Sequence, residues 1–377
     1  MIYLDNAATT FPKPIEVVNA VANAIKKYGV NPGRSSCELS IKTAGLVYEC
    51  RKAVADFFEA KGPESVVFTL NCTLAINMVL KGLLKPGDHV VISCFEHNAV
   101  VRPLKKLCNS HISFSKVEIY PKNKEKTLLE FSKVVNEKTK LLVCLHASNV
   151  WGIRLPIEEI VDFAHKKGIQ VLVDAAQTAG VIKINLKKSK IDFLCVSGHK
   201  NLYGPCGVGL LISDNIEKLD TILEGGTGTN SIFLDQPNEI PEKFESGTLN
   251  VPGILGLKKG IEFVNNLSTE NMFKHKFELI LYLYNNLSQI SYIELYTDKP
   301  NFEHHVPILS FNVKNKKSEE VAFFLNSENI CVRAGLHCAP LAHAFFKTLD
   351  KGAVRISPSI FTTKDNIDFL LNAIKKL

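Results

Sequence analysis

The sequence lacks the features that mark membrane and secreted proteins. No apolar run reaches the roughly 18 residues that would span a bilayer, and the opening MIYLDNAATTFPKP has no basic segment before an apolar core, as a signal peptide would. The ten cysteines include no C-x-x-C pair and no Cys/His group with zinc-ligand spacing. We therefore expect a soluble cytoplasmic protein with reduced thiols, no membrane partner and no metal site.

An excess of charge of one sign is also missing, which weakens the case for a nucleic-acid partner. The 377 residues include 45 Lys and Arg against 38 Asp and Glu, a net charge of +7. The densest basic stretch, residues 183–190, is short and interrupted by apolar residues, which is typical of a solvated surface. With 46 % hydrophobic residues, the chain can bury a sizeable core and is not disordered as a whole.

Short apolar runs alternate with helical stretches through the middle of the chain. The runs are continuously apolar, as strands buried on both faces of a parallel sheet must be. Strands are predicted at residues 66–69, 89–93, 141–146, 170–174, 193–196 and 208–212, with helices at 74–83 and 157–167. This alternation predicts an α/β protein whose mainly parallel sheet is flanked by helices.

The pattern changes after about residue 252. Pro252 and Gly253 open a long helical stretch that runs on to Leu287. Strands are then predicted at residues 308–313 and 331–333, and helices at 318–326 and 364–376. We predict a large domain over residues 12–252 and a smaller α+β domain formed by residues 1–11 and 253–377.

A lysine at the end of a predicted strand is the first candidate for chemistry. Residues 193–212 read FLCVSGHKNLYGPCGVGLLI, so that Lys200 follows an apolar strand and precedes a glycine-rich turn. An amine at the mouth of a sheet, beside glycines that let a ligand approach the backbone, suits condensation with a carbonyl group. Taken alone, Lys200 is better explained as a surface lysine in a loop.

Two further segments bring polar groups to strand ends. VLVDAAQ places Asp174 and Gln177 at the edge where α/β sheets bind ligands. A carboxylate there can keep a pyridinium nitrogen protonated, as pyridoxal phosphate requires, although an Asp that only caps a helix reads the same way. The Asn71-Cys72-Thr73 segment precedes a helix, where free N–H groups form either an anion site or a simple cap.

Together these segments resemble a known family. SGHK followed by YGPxGVG, preceded by VDAAQ, HxSNVxG from His146 and an LDNAATT start, resembles the class V group of fold-type I pyridoxal-phosphate enzymes. Within that group the chain is similar to cysteine desulfurases and to the related selenocysteine lyases. The resemblance, which runs from Leu4 to Arg355, implies a fold-type I large domain with a smaller C-terminal domain, a pyridoxal 5'-phosphate cofactor and a homodimer.

The resemblance also implies which residues bind the cofactor. Lys200 would hold it covalently, Asp174 would pair with its ring nitrogen, and His97 would stack on the ring. Gln177 and Asn149 would contact the phenolate oxygen. The phosphate contacts would come from Cys72, Thr73, Ser197 and His199, together with residues 225–231 of a neighbouring subunit.

The segment VRAGLHCAP resembles the compact cysteine segment of group II desulfurases. Cys338 matches the cysteine that accepts sulfur, so that Lys200, Cys338 and His97 would be the catalytic residues. The substrate L-cysteine would be bound by Arg333, Arg355, Asn149 and Arg34. The implied reaction yields L-alanine and a persulfide on Cys338, which a sulfur-acceptor protein would receive, for instance in iron–sulfur cluster assembly.

Other functions fit the same residues. A selenocysteine lyase, an aminotransferase or a β-eliminase would use the same lysine and aspartate on another substrate, although a transaminase has no use for a thiol at position 338. A sulfur-carrying or scaffold protein could keep the fold without turnover, but the intact Lys200 argues against it.

Overall fold

The computed structural model describes residues 1–33, 37–229 and 231–377. The strands are β1 (Ile2–Tyr3), β2 (Val66–Thr69), β3 (His89–Ser93), β4 (Ser113–Val117), β5 (Thr139–Leu145), β6 (Gln170–Asp174), β7 (Phe193–Ser197), β8 (Gly209–Ile212), β9 (Ile293–Leu295), β10 (Leu309–Val313), β11 (Ile330–Cys331), β12 (Arg333–Gly335) and β13 (Ala353–Ile356). The helices are α1 (Ile15–Lys27), α2 (Glu38–Phe58), α3 (Cys72–Leu83), α4 (Asn98–Leu107), α5 (Lys124–Val134), α6 (Ile157–His165), α7 (Leu186–Ser189), α8 (Val251–Leu267), α9 (Thr269–Leu287), α10 (Ser318–Ser327), α11 (Pro340–Phe345) and α12 (Lys364–Ile374).

A seven-stranded sheet in the order β2-β8-β7-β6-β5-β3-β4 is the centre of the fold. Neighbours from β7 to β4 pair in parallel, whereas β8 is antiparallel to both β7 and β2. The predicted strands are confirmed to within two residues. The sheet has an additional edge strand, β4, whose sequence SFSKV is too polar and exposed to give the continuous apolar signal of a central strand.

Helices cover both faces of this sheet, as the continuously apolar strands require. Successive side chains of a strand point to opposite faces, and in β3 Val91 packs into one core layer while Val90 and Ile92 pack into the other. All three side chains are fully buried. The predicted mainly parallel sheet between two helical layers is therefore confirmed.

The C-terminal part contains a four-stranded antiparallel sheet in the order β12-β13-β10-β9. Two predictions here need correction. The single helix up to Leu287 is two helices, because Ser268 has a left-handed φ of 62° and its hydroxyl accepts the N–H of Asn271 to begin α9. The predicted strand 331–333 is split between β11 and β12, because β11 pairs in parallel with β1 at the start of the chain.

The proposed division into residues 12–252 and residues 1–11 with 253–377 stays a prediction. Among the residues that the structure describes, no helix is long and apolar enough to cross a membrane.

Candidate active site

The carboxyl ends of β5, β6 and β7 and the N-termini of α3 and α4 surround a cavity of about 100 Å³. This is the edge of the sheet at which α/β proteins bind ligands. Every residue predicted to bind the cofactor lines this cavity: His97, Cys72, Thr73, Asn149, Asp174, Gln177, Ser197, His199 and Lys200. The structure therefore brings together residues that are up to 128 positions apart in the sequence, from Cys72 to Lys200.

The N-terminus of α3 forms one wall of the cavity. Asn71 caps this helix, with its side-chain oxygen accepting the N–H of Leu74 at 2.9 Å, and the first N–H groups of a helix have no partner within it. β8 packs closely against this turn at Gly209. A Cβ atom at that position would lie 2.4 Å from the Asn71 carbonyl carbon, so only glycine fits there. The arrangement suits an anionic group bound at the helix end.

Asp174 is held by two hydrogen bonds to the same oxygen. Its Oδ1 accepts the N–H of Ala176 at 2.9 Å and the thiol of Cys72 at 3.5 Å. Burial raises the pKa of Cys72 well above its usual value, and the nearby Asp174 raises it further, so the thiol stays protonated as a donor. Because both bonds use Oδ1, Oδ2 remains available to a cationic partner in the cavity.

Lys200 shares the cavity with Asp174, and its backbone is anchored from the start of the chain. Burial lowers the pKa of the Lys200 amine, while Asp174 acts in the opposite direction. The carbonyl of Lys200 accepts the hydroxyl of Thr10 at 3.0 Å, and that of His199 accepts the Lys13 amine at 2.6 Å. The lysine is therefore fixed at its backbone and free at its amine.

The cavity also contains buried polar atoms that find no partner within residues 1–33, 37–229 and 231–377, namely Asn149 Oδ1, Gln177 Oε1 and His199 Nδ1. The amide nitrogens of Asn149 and Gln177 are already engaged, because they donate to the carbonyls of His337 at 2.8 Å and Ala7 at 3.0 Å. Both side chains therefore offer acceptors, which fit a ligand hydroxyl or ammonium. Together with the carboxylate of Asp174, the amine of Lys200 and the N-terminus of α3, these groups fit pyridoxal phosphate.

Cys338 lies in a tight turn beside this cavity. His337 and Cys338 both have left-handed φ values, 51° and 57°, which is uncommon for residues other than glycine. The turn is held by the Asn149 amide on the His337 carbonyl and by the Asn98 N–H, which donates to the Cys338 carbonyl at 2.7 Å. The exposed Cys338 thiol is 4.0 Å from Arg333 Nη2. The exposed thiol and the Arg333 guanidinium therefore lie close to the segment that carries His97 and Asn98.

The predicted substrate-binding arginines differ in their surroundings. Arg355 is 1 % exposed, bonds Asp5 at 2.5 Å and donates to the Asn149 carbonyl at 2.9 Å, so a substrate carboxylate would compete with Asp5. Arg333 is half-buried, and its charge acts on both Lys200 and His97. Arg34, and Asn230 within the 225–231 stretch, lie outside the described residues.

Comparison with known proteins fits this geometry. The family model described as Aminotransferase class-V matches residues 2–370. The chain belongs to the class-V aminotransferase family. Proteins named probable cysteine desulfurase from Synechocystis sp. and Methanothermobacter thermautotrophicus are 31 % and 33 % identical to it, over the whole of this chain and 90 % and 94 % of those proteins.

Solved structures place this class-V protein in the same group. The apo structure of a cysteine desulfurase from Thermococcus onnurineus NA1 is 31 % identical, with a TM-score of 0.90 over 100 % of this chain and 94 % of that one. A cysteine desulfurase from Escherichia coli is 26 % identical, with a TM-score of 0.86 over 99 % and 94 % of the two chains. The predicted family and fold type are confirmed.

Sequence reasoning missed several residues that shape this class-V site. Asp5 neutralises Arg355, and Lys13 and Thr10 anchor the peptide that carries Lys200. Asp5 stands in the LDNAATT segment, whose position at the start of the chain gave no sign of its contact 350 residues away. Glu96 was also missed, although it directly precedes His97.

Glu96 carries a testable pH dependence. It is fully buried, with Oε1 accepting the Ser93 hydroxyl at 2.5 Å and the Leu145 N–H at 2.8 Å, and burial raises its pKa to about 8. In the unfolded chain the pKa of this carboxyl group is about 4.3. The unfolded chain therefore releases the Glu96 proton at lower pH than the folded protein does, and the free energy of unfolding falls as the pH rises from about 5 to 8. The Gln side chain of Glu96→Gln does not titrate. Over that pH interval we therefore expect the free energy of unfolding of the variant to rise by about 3 kcal/mol relative to that of the natural protein.

Urea unfolding of both proteins at several pH values measures this difference. The comparison must be between the two proteins, because buried histidines such as His146 and His199, whose pKa values burial lowers to about 3 and about 4, add stability over the lower part of the same range. Parallel stability curves for the variant and the natural protein would show that Glu96 is ionised in the folded state.

Proposed function

We propose that this class-V protein is a pyridoxal-phosphate-dependent cysteine desulfurase, which converts L-cysteine into L-alanine and leaves a persulfide on Cys338. The observation that carries the proposal is the exposed Cys338 thiol, held 4.0 Å from Arg333 in a turn bonded to Asn149 of the Lys200 cavity. Curated relatives named probable cysteine desulfurase favour this function over the selenocysteine lyase, aminotransferase and β-eliminase alternatives.

The cofactor would be held by the residues that line the cavity. Lys200 would bind it covalently, Asp174 Oδ2 would pair with its ring nitrogen, and His97 would stack on the ring. Cys72, Thr73, Ser197 and His199 would surround the phosphate at the start of α3, with Gln177 and Asn149 beside the ring hydroxyl. When bound, pyridoxal phosphate supplies an electron sink for the substrate's α-carbon.

Lys200 and Arg333 would act on the substrate directly. Burial lowers the pKa of Lys200 and so favours its neutral amine, the form that would take the α-proton as general base before the lysine returns a proton as general acid. Arg333 would orient the substrate through a bidentate pair with its carboxylate. Arg355 is already paired with Asp5 and bonded to the Asn149 carbonyl, so it would act on that carboxylate through its charge. Arg34 would add a further contact.

The sulfur transfer balances without an external oxidant. The Cys338 thiolate attacks the sulfur of L-cysteine, the bond from that sulfur to the β-carbon breaks, and the β-carbon takes up a proton to give L-alanine. The persulfide retains one sulfur from the substrate and one from Cys338. The cation at Arg333 favours the thiolate form that the attack requires.

Arg333 provides a prediction that separates substrate binding from chemistry. Charge-assisted hydrogen bonds contribute about 1.5–3 kcal/mol, so we expect Arg333→Ala to raise KM for L-cysteine roughly 10–100-fold. Arg333→Lys keeps the charge near Cys338 but loses the planar pair, so it should raise KM with little change in kcat. Steady-state kinetics of both variants check this, and an unchanged KM in both would remove Arg333 from the substrate site.

One assay tests the proposed activity. The purified protein is incubated with pyridoxal phosphate, L-cysteine and a thiol reductant, and L-alanine and sulfide are measured together. We expect equal amounts of the two products, because each turnover releases one of each. Pyruvate and ammonia in place of alanine would identify a β-eliminase, and turnover of L-selenocysteine but not L-cysteine would identify a selenocysteine lyase.

We also propose a cytoplasmic homodimer that passes sulfur to an acceptor protein, as in iron–sulfur cluster assembly. Three consecutive large apolar residues, Ile232, Phe233 and Leu234, are 87 %, 69 % and 103 % exposed directly after the 225–231 stretch. A second subunit would cover them and would receive that stretch at its phosphate site. Sedimentation of the holoenzyme, with Phe233→Ser as the variant expected to weaken the dimer, measures this.

A further inference from the structure

A second and larger cavity, of about 600 Å³, lies outside the site described above. It is formed by the segment after β5, the start of α6, α7 and the 303–304 segment, and it shares no lining residue with the first cavity. Leu145 and Ala147 line the first cavity, whereas His146 between them lines the second. Because successive residues of an extended chain point to opposite sides, the two cavities lie on opposite sides of the 145–147 segment.

This second cavity contains buried polar atoms that have no hydrogen-bond partner among the residues the structure describes. They are both ring nitrogens of His146, Nε of Arg154 and the hydroxyl of Ser189. His146 is only 4 % exposed, so its ring cannot obtain these bonds from open solvent. Buried polar groups in native proteins are nearly always hydrogen-bonded, and the first cavity shows the same signature at Asn149, Gln177 and His199.

The unpartnered atoms of the second cavity include hydrogen-bond donors of Arg154 and His146. Arg154 makes one long hydrogen bond, 3.5 Å to the Phe302 carbonyl, and has no ion pair within 4 Å among the described residues. Burial lowers the pKa of His146 to about 3, with a further contribution from Arg154, so the imidazole is neutral and carries one N–H. Neither Arg154 Nε nor the imidazole N–H has an acceptor among the described residues, and both call for an anionic or carbonyl-type oxygen.

The acidic residues of the second cavity do not fill this role. Glu159 is bonded to Lys124 at 2.7 Å. Glu303 lies at the mouth with a side chain that is 70 % exposed, and Glu158 is exposed as well. Both act on the charge of Arg154 only from a distance. An oxyanion entering between them would be the first direct acceptor for Arg154 Nε.

We propose that His146, Arg154 and Ser189 form a binding site for the carboxylate or phosphate group of a small molecule. The cavity volume lies within the range of small-molecule sites, so it accommodates an organic body attached to the anionic group. The His146 N–H of the backbone donates to the Asp174 carbonyl at 2.9 Å, which connects this site directly to the strand end that carries Asp174. The proposal does not depend on the reaction proposed above.

Crystals of the protein loaded with pyridoxal phosphate, soaked in selenate, test the proposal by anomalous scattering. Loading with the cofactor occupies the first cavity, so that a tetrahedral anion there cannot be mistaken for one in the second. We expect a selenium peak within hydrogen-bonding distance of Arg154 Nε and the His146 ring. Selenium peaks only elsewhere, or water alone between His146 and Arg154, would overturn the proposal.

Solution measurements distinguish a functional site from an adventitious ion only. Inorganic phosphate and trifluoroacetate, as the phosphate and carboxylate probes, are titrated against the same holoenzyme by calorimetry and by fluorine NMR. We expect at least one probe to bind with a dissociation constant below about 1 mM and to bind at least tenfold more weakly to Arg154→Gln. Its affinity should be unchanged in Lys183→Gln, a control that removes an exposed lysine of the cavity rim whose amine is paired with Glu59 at 3.0 Å. Equal binding by both variants would overturn the proposal, and the crystal result stands even if Arg154→Gln fails to fold.

Discussion

Lys200→Ala is expected to lower the formation of L-alanine from L-cysteine by at least about 1,000-fold, which is the scale of losing both a covalent anchor and a general base. The amine is the only part of Lys200 that would react, because its backbone is held by Thr10 and its neighbour's carbonyl by Lys13. The variant should therefore keep its fold and its phosphate cradle. Circular dichroism and the thermal midpoint check the fold.

Borohydride reduction gives the matching chemical test. In the natural protein it should fix the cofactor to the peptide that contains Lys200, and in Lys200→Ala no peptide should carry it. Lys316→Ala, which removes an exposed lysine in the turn after β10, is the matched control and should keep full activity. Cofactor fixed to another lysine in the natural protein would show that Lys200 is not the anchor.

Cys338→Ser is expected to keep the cofactor spectrum and to lose sulfide release by at least about 100-fold, because a hydroxyl is not the thiolate nucleophile that the transfer requires. The main-chain bonds of the turn, from Asn98 and Asn149, do not involve the thiol. The substitution should therefore leave the left-handed turn intact.

Cys206→Ser is the matched control for Cys338, because it also removes an exposed thiol. We expect it to retain sulfide release within about twofold of the natural protein, as is usual for surface substitutions. Equal activity in Cys338→Ser and Cys206→Ser would mean that sulfur leaves the substrate by another route.

The central sheet could be predicted from the sequence because its strands are buried on both faces. β3, β6 and β7 each contain an unbroken apolar run. Such a run can be recognised from residues that are adjacent in the sequence, without knowledge of the fold. β4 could not be recognised in this way, since most of this polar edge strand is exposed or only half-buried. The break between α8 and α9 at Ser268 could not be predicted either. A serine is compatible with a continuous helix, and the sequence does not show that Ser268 has a positive φ.

The cofactor-binding residues could be predicted for a related reason. Asp174 and Lys200 each stand at or just beyond the end of a predicted strand, and parallel strand ends meet at one edge of the sheet. The pairing of Arg355 with Asp5 and the bond from Asn149 to the Cys338 turn join segments far apart in the chain. No local pattern encodes such contacts. The cavity around His146 could not be predicted for the same reason, since Arg154 and Ser189 reach it only in the folded chain.

Locating the transferred sulfur tests the central claim most directly. The holoenzyme is mixed with L-cysteine without reductant, its free thiols are blocked, and its peptides are analysed by mass spectrometry alongside the L-alanine formed. We expect one added sulfur atom on the peptide that contains Cys338, in an amount that matches the L-alanine formed. L-alanine formed with the added sulfur on another cysteine, or on none, would contradict it.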